Sequence, residues 1–248
     1  MVFDPALAWA FLTALIAGVT RGFSGFGGAL IFVPLVSAAY GPRVAVPLLL
    51  VIDTLMTLPF VVPALRACVW RQVAPLAVGA VVAVPAGVWV LQHTDPLVVR
   101  WALAFLGLGL LALLASGWRH TGQHTLPVTL SIGAIAGFCG GAAQMSGPAV
   151  VVYWLGTGQP SALVRANLFG FFALVTLATG SSYALSGMFT TEVGRLTLFL
   201  GPAYALGLYA GARAFRGASD RHYRVAAYWV IAAAALISLP LFDSLIGR

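Results

Sequence analysis

Long apolar runs follow one another along this chain with only short polar connections between them. Crossing a bilayer as helix takes about 20 apolar residues. Runs of that length stand at 44–65, 73–92, 96–117, 161–187, 193–214 and 224–246, so a span is expected at each. The composition points the same way, with 61% of the 248 residues hydrophobic and 8% charged. An average soluble domain is about 25% charged, and so few charges cannot coat a globule of this size. The fold class this dictates is an all-α polytopic membrane protein. Pro47, Pro59 and Pro63 within one span predict kinks, which membrane helices tolerate. Residues 1–5 carry Asp4 rather than a positive stretch, and no cleavage signature closes the first apolar run, so no secretory leader is expected.

Two further apolar regions, 6–40 and 127–157, are too long for one ordinary span and are interrupted by glycine-rich segments, 21–28 and 140–148. Half-length apolar pieces around such a break, each too short to cross alone, read as a discontinuous helix or a re-entrant hairpin. The breaks also align with each other. Ile16-Ala17-Gly18 matches Ile135-Ala136-Gly137 at an offset of 119, where Gly22 falls on Gly141, Gly28 on Gly147 and Val33 on Val152. The chain is thus expected to hold two pseudo-symmetric repeats, 1–125 and 126–248, integrated in one membrane domain. Each repeat is a Gly-rich broken or re-entrant helix followed by three transmembrane helices.

All 13 basic residues are Arg, and with six acidic residues they leave a net charge of +7. They are scattered between apolar runs rather than gathered into a basic patch. That distribution excludes a nucleic-acid partner and suits anions and membrane lipid head groups. If both broken regions cross the membrane, the Arg residues divide seven to five between its sides. If both re-enter, Arg66, Arg71, Arg119, Arg165, Arg213, Arg216, Arg221 and Arg224 share one side, and Arg43, Arg100, Arg195 and Arg248 the other. The second division is the stronger positive-inside bias, and its three crossings per repeat invert the second repeat relative to the first. Inverted repeats with broken helices are a recurrent transporter architecture. Either topology puts the termini outside and the Arg213–Arg224 loop in the cytoplasm.

Arg21 sits inside the first break between long apolar runs. An unpaired charge at membrane depth costs at least about 2.5–3.5 kcal/mol, so a carboxylate, water or an anionic substrate must meet it there, unless the break lies at the interface and Arg21 reaches the head groups. Asp53, in the middle of the 44–65 span, is the acidic residue placed clearly at membrane depth. It is a candidate for proton coupling or for a structural pair with Arg21, and the sequence leaves both open. Gly22, Ser24, Gly25, Gly27 and Gly28 in the first break offer backbone N–H groups and one hydroxyl; Gln144, Ser146 and Gly147 offer the same kit in the second. Pro148 fits the first turn of a following half-helix. Donors without a fixed carboxylate beside them favour an anion over a metal ion. The competing reading is close helix packing by small residues. Arg165 and Asn167, which open the next span, are added as candidate anion contacts. Tyr153 and Trp154 read as packing or interfacial aromatics.

Gly22-Phe23-Ser24-Gly25 has the G-x-S-G form of an intramembrane serine hydrolase, whose chemistry needs a histidine at the same depth. His93, His120, His124 and His222 all fall in loops or at helix ends, so no enzymatic activity is expected. Cys68 and Cys139 form no redox or metal spacing, and neither a metal nor another cofactor is expected.

The first break with its flanks, Ala17-Gly18 and then Arg21-Gly-Phe-Ser-Gly-Phe-Gly-Gly-Ala-Leu-Ile-Phe-Val-Pro34, resembles the first signature of the sulfite exporter TauE/SafE family. Val46-Pro47 and Val51-Ile-Asp53 look like one branch of it. The stretch from Gly137 through Gly147-Pro148-Ala-Val-Val-Val-Tyr-Trp154, followed by Arg165-Ala-Asn167, resembles the second signature. The likeness covers nearly the whole chain. The second break departs from the family's commoner triple-glycine form, and the first lacks a full glycine run. The resemblance implies a multi-spanning transporter of the bacterial inner membrane that moves a small anion, a sulfur oxyanion or organosulfonate of the sulfite and sulfoacetate class. Protons are the candidate coupling ion, through Asp53. An anion channel is the alternative, and it would use the same loops without stoichiometric coupling.

Overall fold

A computed structural model describes residues 5–117, 125–155 and 159–215. The described residues are helical throughout: α1 (Pro5–Ser24), α2 (Gly28–Tyr40), α3 (Pro42–Ala67), α4 (Trp70–His93), α5 (Pro96–Ala115), α6 (Leu126–Ala143), α7 (Gly147–Leu155), α8 (Ser161–Leu185) and α9 (Thr191–Phe215). Helix α3 runs on through Pro47, Pro59 and Pro63. The run at 224–246 and Arg119, Arg216, Arg221, Arg224 and Arg248 lie outside the described residues.

Five of the described helices are long and apolar enough to cross a membrane: Pro5–Phe23, Pro42–Ala67, Trp70–His93, Leu126–Ala143 and Ala162–Leu185. Two of these correct the sequence reading. The first arm of each broken region is not half-length, for α1 has 20 residues and α6 has 18. Glycines inside these arms do not end the helix, because the small faces they create are packed against a neighbouring helix. Only the second arms are short, α2 among them with 13 residues. The run at 193–214 forms α9, a helix of 25 residues that is not among these five. Along α9, Gly207 and Gly211 meet the backbone of α1, while Leu198 and Leu206 are exposed. Within α5 the stretch Pro96–Gly109 is apolar but short.

The chain divides into two compact units. The first holds α1, α2, α3 up to Met56, α5 up to Leu111, and α9. Its helices α1 and α9 meet backbone to backbone. A Cβ on Gly18 would stand 2.3 Å from the Tyr204 carbonyl oxygen, one on Gly22 1.9 Å from that of Leu208, and one on Gly211 2.1 Å from that of Val19. The contacts advance in the same direction along both helices, so the pair is parallel. Small residues four apart allow this approach, which membrane helices use in place of a hydrophobic driving force.

The second unit holds the end of α3, α4, the end of α5, α6, α7 and α8. Here α4 and α6 form the same kind of parallel crossing. A Cβ on Gly133 would lie 2.2 Å from the Leu76 carbonyl oxygen, one on Gly137 2.1 Å from that of Ala80, and one on Gly141 2.3 Å from that of Val84. Three hydroxyls inside helices of the two units are satisfied locally: Thr13, Thr129 and Thr179 donate to the carbonyls of Trp9, Thr125 and Val175, one turn earlier. Large apolar side chains such as Val82 and Leu198, 76% and 77% exposed, point outward, as a lipid-facing surface requires.

Candidate functional site

Both breaks reverse the chain. Gly28 opens α2 against Ala17 and Arg21 of α1, while Leu35, further along α2, accepts a hydrogen bond from Trp9 near the start of α1 (3.2 Å). The order of contacts runs backwards, so α2 returns along α1. In the second unit Ser146 lies against Gly140, and Tyr153 meets Thr129 hydroxyl to hydroxyl at 2.7 Å, so α7 likewise returns along α6.

The first reversal carries a buried charge cluster. Arg21 closes the last turn of α1 and is 7% exposed. Its Nε donates to Asp53 Oδ1 at 2.9 Å and its Nη2 to Asp53 Oδ2 at 2.8 Å, a two-pronged fork. Its Nη1 donates to the Gly25 carbonyl. The hydroxyl of Tyr204, fully buried on α9, donates to Asp53 Oδ1 at 2.7 Å. Three elements of one unit thus converge: the end of α1, the middle of α3 and the middle of α9. The sequence reading had donors without a carboxylate beside them in this break, and that is corrected. The α3 helix brings Asp53 straight onto Arg21, so the guanidinium is matched charge for charge. Asp53 itself is 24% exposed at its side chain.

Around the cluster the glycines divide by role. Gly22 is occupied by the Leu208 backbone. Gly25 and Gly27 hold left-handed backbone, with φ of 75° and 89°, and turn the chain between the helices. Gly28 is the first residue of α2, and a Cβ there would press at 3.1 Å on both the Tyr204 hydroxyl and the Arg21 Cβ. The positive end of α2, with no side-chain cap at Gly27, therefore opens beside the ion pair. Ser24 ends α1, and its side chain lies outside the described structure.

In the second reversal Gln144 ends α6 with φ of 58°, the positive φ found at a non-glycine residue among those described. An L-residue pays for that conformation, and such strain gathers at functional positions. Its backbone N–H reaches the carbonyls of Cys139 and Gly140, and its side-chain amide donates to the Tyr183 hydroxyl at 3.4 Å. That hydroxyl donates in turn to the Gly141 carbonyl at 2.7 Å. Ser146, Gly147 and Pro148 are buried, and Gly147 and Pro148 form the start of α7.

The remaining candidates lie away from this turn in sequence. Asn167 is fully buried in α8, where its Oδ1 accepts from the Val69 N–H at 2.8 Å and its Nδ2 donates to Gln72 Oε1 at 3.0 Å. Its amide thus holds the start of α4. Arg165 is half-buried, with its guanidinium 5.9 Å from the centre of the Phe169 ring. Sequence reasoning missed Tyr204 and Tyr183. The available signal was a phenol inside an apolar helix, whose hydroxyl must find a partner when buried.

Cys68 and Cys139 are buried free thiols. Burial pushes the Cys68 thiol above its ordinary range. Among the described residues no group of His, Cys, Asp and Glu could hold a metal ion. His93 is exposed at the end of α4, its ring stacked on Trp89, while His120, His124 and His222 lie outside the described residues.

A family model described as "Sulfite exporter TauE/SafE" matches residues 10–237. Comparison with curated proteins and with solved structures finds no match.

Proposed function

The chain belongs to the sulfite exporter TauE/SafE family, a multi-pass membrane transporter family, and from that membership we propose a secondary transporter of a small anion, a sulfur oxyanion or organosulfonate, coupled to protons through Asp53. The observation that carries this reading is the Arg21–Asp53–Tyr204 cluster beside the start of α2. With Asp53 ionised, its carboxylate holds the guanidinium. With Asp53 protonated, the fork loses its charge match, and Arg21 together with the α2 N–H groups can take an anion instead. The carboxylate and the anion then compete for one cation, so a proton accompanies each anion. Gly25, Gly27 and Gly28 expose the backbone that the anion approaches. Gln144, Ser146, Gly147 and Pro148 form the second polar loop, and with Arg165 and Asn167 they are further candidate anion contacts in their own unit.

Two repeats, the second inverted, are the architecture we propose for this transport. Several relations support it. At the offset of 119, Gly28 and Gly147 each open the short arm of a helix hairpin. The long arm of each hairpin packs through glycines on a helix that the same offset maps onto its counterpart's partner, α1 on α9 and α6 on α4. Hairpins that return also favour the re-entrant topology, with Arg66, Arg71 and Arg165 facing the cytoplasm, termini in the periplasm and the bacterial inner membrane as the location.

Flux in proteoliposomes tests the proposal. Wild-type protein should move sulfite or sulfoacetate saturably, and a pH gradient should drive accumulation that an uncoupler abolishes. Asp53→Asn protein that elutes as a folded species should carry the anion down its own gradient yet ignore the pH gradient. A wild type with no pH-driven flux of any sulfur anion overturns the reading, and a non-saturating current makes the protein a channel.

A further inference from the structure

The second unit contains a cavity of about 350 Å³, open on one side, at the end where α4 and α6 both begin. Its polar walls are Arg71 and Gln72 from the first turn of α4, Thr129 of α6, Tyr153 of α7 and Gln159 just before α8. Pro75, Leu126 and Trp154 form the apolar side. No acidic residue lines it, and among the described residues Arg71 has no ion-pair partner. Gln72 commits its Oε1 to Asn167, and Tyr153 is fixed by Thr129, so both polar walls are held rigidly. Gln159 Oε1 is buried and meets no donor among the described residues. Thr125 begins α6 without a side-chain cap bond, so the helix adds its positive end to the same face.

We infer that this cavity is a binding site for a small organic anion that carries its own hydrogen-bond donor, with the oxyanion head on Arg71 and the donor on Gln159. The inference rests on the anion-transport reading but concerns a site apart from the Arg21 cluster. Three features set the ligand class. The net charge of the walls is positive. The volume falls in the range of metabolite pockets rather than of a bare inorganic oxyanion. The Gln159 carbonyl, buried without a partner among the described residues, calls for a hydroxyl or ammonium on the ligand. The apolar side provides for a short carbon body. On the proposed topology the cavity faces the cytoplasm, where an exported anion would first be captured.

Calorimetric titration of the detergent-solubilised full chain tests this with two probes, isethionate (2-hydroxyethanesulfonate) and its hydroxyl-free analogue ethanesulfonate. Wild type should bind isethionate at least fivefold more tightly than ethanesulfonate. Arg71→Gln should weaken both at least tenfold. Gln159→Leu should erase the preference while leaving ethanesulfonate binding within twofold, a result that general destabilisation would not produce. Unchanged binding in both variants, or no isethionate binding to wild type, overturns the inference and leaves proton-driven sulfite flux untouched. Conversely, a wild type that binds isethionate with this pattern but shows no pH-driven flux keeps the site and removes the coupling. A lipid phosphate could use the same chemistry, so the titration is repeated in nanodiscs with and without phosphatidylglycerol. Isethionate binding lost with that lipid present would assign the cavity to a head group and overturn the proposal.

Discussion

Arg21 and Asp53 lie 32 positions apart and close a two-pronged ion pair, 2.8 and 2.9 Å long, within an apolar helical unit. Removing one partner of a buried pair strands the other charge, at a cost of about 3–5 kcal/mol. Arg21→Met is therefore expected to lower the melting temperature sharply in detergent. Arg21→Met combined with Asp53→Asn removes both charges and should regain most of that loss without regaining transport. Thermal unfolding of the two singles and the double reads this directly. Additive losses in the double would contradict the pair.

Gly22 has no room for a side chain, whereas Gly194 on α9 has nothing within 4 Å of its Cβ position. Gly22→Ala and Gly137→Ala should each force the two backbones apart and reduce the yield of monodisperse protein severalfold on size exclusion. Gly194→Ala should be neutral or stabilising, by up to about 1 kcal/mol from helix propensity. A tolerated Gly22→Ala would dissolve the claimed backbone contact.

Gln144 pays for its left-handed backbone. Gln144→Gly and Gln144→Ala both delete the amide, but only the first relieves the conformation, which costs an L-residue about 1–2 kcal/mol. The glycine variant should therefore be more stable than the alanine variant by about that free energy and melt higher. Equal melting points would mean that the strain is not there. Loss of flux in both would assign the amide itself a part in transport.

Cys68 lies between α3 and α4, its Sγ donating to the Leu65 carbonyl at 3.5 Å. Burial raises its pKa above the ordinary thiol value. Only the thiolate reacts, so at neutral pH its reactive fraction is smaller than that of a free thiol. In a Cys139→Ser background, maleimide labelling should be slow near pH 7 and should keep rising, roughly tenfold per pH unit, beyond the pH where an exposed thiol levels off. A plateau at the ordinary thiol value would contradict the burial.

The legibility of the fold varies from element to element. Apolar runs marked α3, α4 and α8 correctly, since aliphatic residues are what lipid demands of a spanning helix. The run at 193–214 also forms a helix, α9, whose glycines meet α1. Glycine-rich segments located both chain reversals, Gly27 and Gln144 marking the turns. The first arm was misjudged because Gly22 was read as part of the break, yet it continues α1 where the Leu208 backbone packs over it. Arg21 and Asp53 were both recognised as charges too costly to leave alone at membrane depth. Tyr204 was not, since nothing local distinguishes a phenol facing a carboxylate from one facing lipid.

By itself the sequence determined that this chain is helical and spans a membrane, where its helices break, and which charges demand an explanation, because those properties follow from local composition and from the cost of burying charge. Only the tertiary structure decided that Asp53 answers Arg21, that Tyr204 joins them, that Asn167 holds the start of α4, and that Gly22 serves packing. Each of these depends on which helices lie side by side. That is set by glycine-lined contacts between segments far apart in the chain, a relation that no single segment encodes.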